Sequence, residues 1–578
     1  MEETDQCLPV APLRDVLEQF REAMAPITSQ EEFQKIEQDI ESFFTGEGNF
    51  LQEKLKEYSK QLRGTSWLRE YSQQRFLSLR TPLTIVGNFT LEFWKNGEET
   101  SLLRNGTALA WSVGRLYQQL QAGEVPVPQG SSLSVRSEQM ERVLGSARLP
   151  GHGTDTYAVY PADEVRAFGV FYRNRYYWVE LFTADGKLAE PGQIYASLAE
   201  ILGEKRPPER VNFHTAAYAG SEVYADFLEQ FTQVRKNQEN LQLVQRALFH
   251  LALKDTQREE IPFQNLLYSN TEDLWPYKPW SFTLYADGGC TVNNEHTAAD
   301  GLTNVHLYRQ VRSLMEQVRE SSFEGGSGKF RELVFSMTPQ QRSVSEKIRN
   351  TYEKQVAPFR VEEWSRSEIY WARWKALGVG RDALIQLGFL YASLDLYPTV
   401  RCIHESVSTA HFYQGRTSCL RPVTLEMLQA ARVLKIQRAA DGQALQLITA
   451  ASQAHRRGIR RAKKNVCFVR HGAGLKQMEQ RYGRGPQCGS GPGLLDSSAY
   501  QRFCSQEIST STVGGEDVVK QFAFSPQVKG GLGIGYQPNP SGLRAAITWS
   551  QADLPGGELF GQKLQEYFDR LEAVLGTV

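Results

Sequence analysis

Apolar residues recur at intervals of three and four through residues 10–80, in stretches such as LRDVLEQFREAM and FQKIEQDIESFF, and this period predicts helices. Thr81-Pro82 ends that region, and short strands and helices mix from 83 to about 150. VRAFGVFYRNRYYWVELFTADG (165–186) places aromatic and β-branched residues on both sides of Arg173-Asn174, which predicts a hairpin. WSFTLYADGGCTVNN (280–294) predicts a second strand pair around Asp287-Gly288-Gly289, and TNVHLYRQVRSLMEQVRE an amphipathic helix soon after. A single histidine, His296, therefore lies just beyond a strand and just before a helix, where loops hold functional groups on rigid supports. SSFEGGSGKF reads as a linker, long helices are expected over 340–393 and 421–480, and a Gly/Pro/Ser loop covers 483–493. Strand signals return at 505–512, 518–524, 531–536 and 543–549, and a helix closes the chain.

Composition narrows the class. A chain of 578 residues exceeds one ordinary core, so two or more domains are expected, and 41% hydrophobic with 23% charged residues is globular. A net charge of −1 argues against wholesale nucleic-acid binding. Seven scattered cysteines form no CxxC pair, so neither a disulfide framework nor a metal site is signalled, and a reducing compartment is expected. MEETDQCLPVAP lacks the features of a signal or transit peptide, LEAVLGTV is not the peroxisomal tripeptide, and no apolar run approaches bilayer length. The expectation is an intracellular, cytoplasmic monomer without a membrane span. Two glycosylation sequons, at Asn88 and Asn105, read as chance matches.

Several tempting patterns fail on their own mechanics. EGGSGKF has Phe323 where a phosphate loop needs its first glycine, and Phe330 where it needs Ser or Thr. GGLGIG (530–535) sits in strand surroundings with no helix after it, which favours close backbone approach over dinucleotide binding. HRRGIRRAKK (455–464) reads either as a solvated helix face or as a surface for phosphate or an acidic partner.

EHTAADG fits H-x-x-x-D-G at His296, Asp300 and Gly301. Three fixed positions alone are a weak signal, but further blocks follow in order along the chain. They are LPVAPL (8–13), RFLSLRTPLTIVGNF (75–89), VLGSARLPG (143–151), DLWPYKPWSF (273–282), HESVSTAHFYQGRT (404–417), VRHGAGLK (469–476), EISTST (507–512) and FSPQVKGGLGIGY (524–536). Together they resemble the carnitine/choline acyltransferase family, nearest to the carnitine O-acyltransferases, as a divergent member.

The resemblance implies a fold class. It is α/β, with two domains of the chloramphenicol-acetyltransferase type, mixed sheets with flanking helices, and an active-site tunnel between them. Residues 82–338 would form the lobe carrying the histidine. Residues 1–81 and 339–578 would form a discontinuous second lobe binding the alcohol and coenzyme A. The resemblance also implies roles. His296 is the general base, Ser511 the oxyanion donor, and Asp300 a wall residue paired with Arg470. His404, Thr417, Arg470, Ser509 and Phe524 fall at alcohol-binding positions, with His404 where the family has tyrosine. Lys375, Arg373 and Arg457 fall at or beside basic positions for the 3′-phosphate of coenzyme A, and Trp371 replaces one of them. Phe522 aligns with an acyl-chain gate that is bulky in short-chain enzymes. Acyl-CoA is the implied co-substrate, with no resident cofactor or metal.

The chemistry also follows from the residues. An alcohol is a poor nucleophile at neutral pH, and a neutral imidazole that takes its proton is worth about 10²–10⁴-fold. No G-x-S-x-G elbow signals an acyl-enzyme. The thinned phosphate site leaves a second donor open, an acyl carrier protein as in polyketide-synthase offloading acyltransferases, which the basic tract could face. An impaired binding homologue and a nucleic-acid binder are the readings from other classes. Plant-type acyltransferases carry D-F-G-W-G, absent here, and condensation domains carry a second histidine where this chain has Glu295.

Overall fold

The computed structural model describes residues 6–62, 65–95, 101–319, 323, 326–436, 441–485 and 493–576. Residues 321, 322, 324 and 325 of the expected linker and most of the expected loop at 483–493 lie outside them, as do residues 1–5 and 577–578 of the chain ends. Two mixed sheets organise the chain. One runs Val519–Ala523, Asn88–Phe93, Cys290–Glu295, Trp280–Tyr285, His250–Lys254, Ala167–Tyr172, Arg175–Glu180, Phe330–Glu332. The other runs Phe359–Arg366, Leu543–Ser550, Leu532–Pro538, Ile508–Ser511, Ile403–Ser408, Thr417–Leu420. Each combines parallel and antiparallel neighbours: His250–Lys254 is parallel to Trp280–Tyr285, and Ile508–Ser511 to Ile403–Ser408. The fold class is thus the expected one, α/β with mixed sheets and flanking helices.

Local chemistry explains the elements that position the site. The first helix, Leu13–Met24, buries Val16, Leu17, Phe20 and Met24, one face of a 3.6-residue period. The next, Gln30–Thr45, opens with a capping box in which Ser29 and Glu32 satisfy each other's backbone N–H. These N-terminal helices pack in one apolar core with residues from Trp364 to Leu575: Phe20 meets Phe468 at 5.3 Å and Phe503 at 5.0 Å. The predicted hairpin turns through Arg173 and Asn174, both at positive φ (54° and 57°), as a type I′ turn requires. Asn88 and Asn105 are buried, so neither sequon is available to a sugar.

Two expectations change. The stretch expected to hold only long helices, 340–393, also contains a strand: helix Pro339–Val356 is followed by strand Phe359–Arg366, and then by helices Trp371–Ala376 and Arg381–Leu396. That strand, FRVEEWSR, lies at a sheet edge with only Trp364 buried, so its sequence lacks the alternation that identifies a strand. The boundary near 338 does not separate the two sheets either. Strand Val519–Ala523 leaves the second half of the chain and pairs antiparallel with Asn88–Phe93 at the edge of the first sheet. Its return is close-packed. A Cβ on Gly533 would stand 2.5 Å from the Phe524 carbonyl oxygen, and one on Gly535 would stand 2.2 Å from that of Phe522. Close backbone approach is therefore what GGLGIG provides.

Candidate active site

The strand Cys290–Glu295 delivers His296 to a cavity of about 250 Å³. Glu295, the last strand residue, fixes the start of the loop. It accepts hydrogen bonds from the Thr297 N–H (3.1 Å), the Thr297 hydroxyl (2.6 Å) and Arg148 (3.1 Å). Arg148 is fully buried and also binds Asp155 at 2.6 Å, which in turn takes Arg80 and the Ser221 hydroxyl. The far end is held by Gln139, whose side-chain oxygen accepts from the Asp300 N–H (3.0 Å) and the Thr303 hydroxyl (2.9 Å). Gly301 is needed because a Cβ there would stand 2.5 Å from Val513 of the opposing segment.

His296 is sandwiched by aromatic rings. Phe76 stacks on it at 4.8 Å between centroids, and Phe89 meets it edge-on at 5.0 Å. Its Nδ1 is closed off from the cavity and lies 4.0 Å from Asp300 Oδ1, so the accessible nitrogen is Nε2. Although 31% of the side chain remains accessible, that surface faces the cavity, and burial pushes the imidazole down to about 4 against the opposing pull of Asp300. The ring is neutral at pH 7, and with Nδ1 protonated it presents a lone pair at Nε2.

Asp300 does not pair with Arg470. Its partner is Arg416, at 2.9–3.2 Å through Nε and Nη2. Burial would raise the Asp300 carboxyl, but Arg416 outweighs this and holds it below the ordinary aspartate range. The same guanidinium donates to the main-chain oxygens of Thr297 (2.7 Å) and His296 (2.9 Å), and lies 5.2 Å above Phe76. One side chain therefore clamps the whole His296–Asp300 loop. Arg416 stands directly before Thr417 in the QGRT stretch. Its role needed the fold, because no local pattern says which carboxylate it reaches. Arg470 instead donates to the carbonyl and hydroxyl of Thr417 (3.2 and 3.4 Å).

The remaining candidates divide into two groups. His404, Ser509 and Ser511 reach the cavity from adjacent parallel strands, with His404 in register with Ser509. Thr417, Arg470, Phe522 and Phe524 line the same space. Ser511 makes no hydrogen bond through its hydroxyl among the described residues, whereas Ser509 is engaged by Gln506 at 3.0 Å. Burial, then Arg421 and Arg470, push His404 far below its ordinary range, so it is neutral too. Phe522 is buried and stacks against Phe524 at 6.1 Å.

Trp371, Arg373, Lys375 and Arg457 lie outside the cavity lining. Trp371 is a core residue: its indole N–H donates to the Gly542 carbonyl, and the ring meets Phe568 edge-on. Arg373 donates to the Leu575 carbonyl, Arg457 is paired with Glu426, and Lys375 is exposed. In the basic tract Arg456 is bonded to the Gly378 carbonyl and Arg461 to Glu22, while Arg460, Lys463 and Lys464 are exposed.

A neutral imidazole with one open nitrogen, set in a cavity between two mixed sheets, suits proton transfer from a hydroxyl during acyl exchange, and the protein is an acyltransferase by class. It belongs to the choline/carnitine O-acyltransferase family, whose description, Choline/Carnitine o-acyltransferase, matches residues 8–566. The chain is 24% identical to carnitine O-palmitoyltransferase 2, mitochondrial, of Homo sapiens, covering 98% of this chain and 91% of that protein. It is 23% identical to carnitine O-acetyltransferase of Mus musculus, covering 94% and 88%. Among solved structures it is similar to the TRI3 trichothecene 15-O-acetyltransferase from Fusarium sporotrichioides, with 9% identity, 86% and 93% coverage and a TM-score of 0.41. Among the described residues, no helix is long and apolar enough to cross a membrane.

Proposed function

We propose that the protein moves a short or modest acyl group between a phosphopantetheine thioester and the hydroxyl of carnitine or a carnitine-like, carboxylate-bearing alcohol. The observation that carries this reading is the His296 imidazole, neutral and open to the cavity only at Nε2. Nε2 takes the proton as the alcohol oxygen attacks the thioester carbonyl. The tetrahedral oxyanion is stabilised by the unpartnered Ser511 hydroxyl, a donor placed where charge develops. The C–S bond then breaks, and the imidazolium returns the proton to the departing thiolate. One base serves both directions, and no acyl-enzyme forms.

Arg416 acts by position, holding the loop and keeping Asp300 ionised behind the ring. Arg470 and Thr417 would meet an acceptor carboxylate, and Phe524 a quaternary ammonium. The buried Phe522 ring in the cavity wall favours short acyl groups.

For the donor, a specific observation favours a second source. The Trp371 indole is buried in the core, and Arg373 and Arg457 are bonded elsewhere, so of the four expected positions Lys375 alone offers a free cation to a 3′-phosphate. An acyl carrier protein presents the same thioester without that phosphate. The test is thiol release from acetyl-CoA, dephospho-acetyl-CoA and an acetylated carrier protein, with carnitine, choline and polyols as acceptors. His296→Ala should lose about 10²–10⁴-fold in kcat. Undiminished turnover in that variant refutes the base assignment, and a large loss on removing the 3′-phosphate refutes the carrier-protein donor.

A further inference from the structure

The cavity carries more positive charge than acyl transfer to a zwitterion uses. Its charged lining residues are Arg75, Arg416, Arg470 and Asp300. His296 and His404 line it as well, and burial keeps both neutral at pH 7. Arg416 and Asp300 cancel each other. Among the lining residues two positive charges remain, on Arg470 and Arg75; the buried Cys467 thiol, which burial raises but its Cys419 contact and Arg470 bring down to about 5, lies outside that lining.

Arg75 lies on the helix Arg69–Leu77, one residue before the ring that stacks on His296. Among the described residues it donates no hydrogen bond and joins no ion pair. Its guanidinium lies over the Phe76 ring, 5.5 Å from the centroid. Burial, with Arg470 as the next contributor, lowers it to about 10, so it remains a cation at neutral pH and shares its space with a like charge. Arg470 binds only Thr417. Two guanidiniums lining one partly buried cavity are unfavourable until anionic groups complete them. A zwitterion brings one carboxylate and one ammonium, and leaves that excess in place.

We propose that the acceptor alcohol is a dianion. Its hydroxyl faces His296, one anionic group binds Arg470 and Thr417, and the second binds Arg75. Two sources share this chemistry, a hydroxy dicarboxylate and a hydroxyalkyl phosphate. The proposal rests on the acyl-transfer reading but replaces its zwitterionic acceptor with a dianion, for which Phe524 is an apolar wall and meets no quaternary ammonium. The reaction is unchanged: the acyl C–S bond breaks, a C–O bond forms, and the hydroxyl proton passes through His296 to the thiolate. The anionic groups only bind.

The experiment measures thiol release from acetyl-CoA with malate, glycerol 3-phosphate, 3-hydroxybutyrate, carnitine and choline. A dianion is expected to exceed carnitine and 3-hydroxybutyrate by about tenfold or more in kcat/KM. Arg75→Ala should reduce the dianion-over-monoanion preference by about 10–100-fold through KM, and Arg75→Lys should restore part of it. Preference for carnitine or choline over both dianions overturns the proposal, and so does an equal loss on all acceptors in Arg75→Ala. If no acceptor releases thiol from acetyl-CoA, calorimetry of the two dianions on the otherwise intact protein and on Arg75→Ala decides. Binding that requires Arg75 supports the dianion site and leaves the donor as the failed part, to be replaced by an acetylated carrier protein, and no dianion binding overturns the proposal.

Discussion

Arg416 offers a demanding test, because it touches the site at four points without touching the reacting atoms. Arg416→Met keeps most of the side chain's volume but removes the donors to Asp300, the His296 carbonyl and the Thr297 carbonyl. Arg416 and Asp300 are 15% and 14% exposed, so Asp300 is left as a nearly buried, uncompensated carboxylate. Removing one partner of such a pair costs about 3–5 kcal/mol. The loop then relaxes, and a misplacement of about 1 Å costs on the order of 10²-fold in rate. The expected result is a loss of that order, carried by kcat, in a thiol-release assay with saturating acceptor. A second signature is electrostatic. Arg416 helps hold the His296 pKa down and Asp300 pulls it up, so the variant's imidazole should rise from about 4 toward its ordinary value. The acid limb of the kcat/KM profile then moves to higher pH, and activity near pH 5–6 falls more than activity near pH 8. Arg416→Met/Asp300→Asn, which leaves no orphaned charge, should be more stable than the single variant. A single variant with kcat within about threefold of the parent and an unmoved acid limb would show that the clamp does not position the base.

Two further outcomes follow from the same geometry. Phe522→Gly opens the cavity wall and should raise the octanoyl-over-acetyl ratio of kcat/KM by about tenfold, at a core-cavity cost of about 3–5 kcal/mol read by urea denaturation; an unchanged ratio in folded protein removes Phe522 as a gate. Burial holds His214 and His471 at about 4 in the folded protein, below the ordinary 6.5, so stability from these neutral rings is full above about pH 6.5 and is lost as pH falls toward 4. Urea midpoints should decline through that window by up to about 1.4 kcal/mol per pH unit per histidine, and a flat profile would contradict the burial of both rings.

Sequence alone determined those features that depend on near neighbours. The period of three and four in LRDVLEQFREAM, the turn residues Arg173-Asn174, and the strand–His296–helix order are short-range properties, and short-range sterics and burial fix them. Strand Phe359–Arg366 escaped because an edge strand buries too little to impose alternation on its residues. Tertiary structure decided whatever depends on where distant segments meet. Arg416 is 116 residues from the carboxylate it neutralises, Trp371 is turned into the core by Gly542 and Phe568, and Arg75 shares a cavity with Arg470 only because distant segments converge there. Charge balance in a closed space is a sum over residues far apart in the chain, so no local pattern could have stated it.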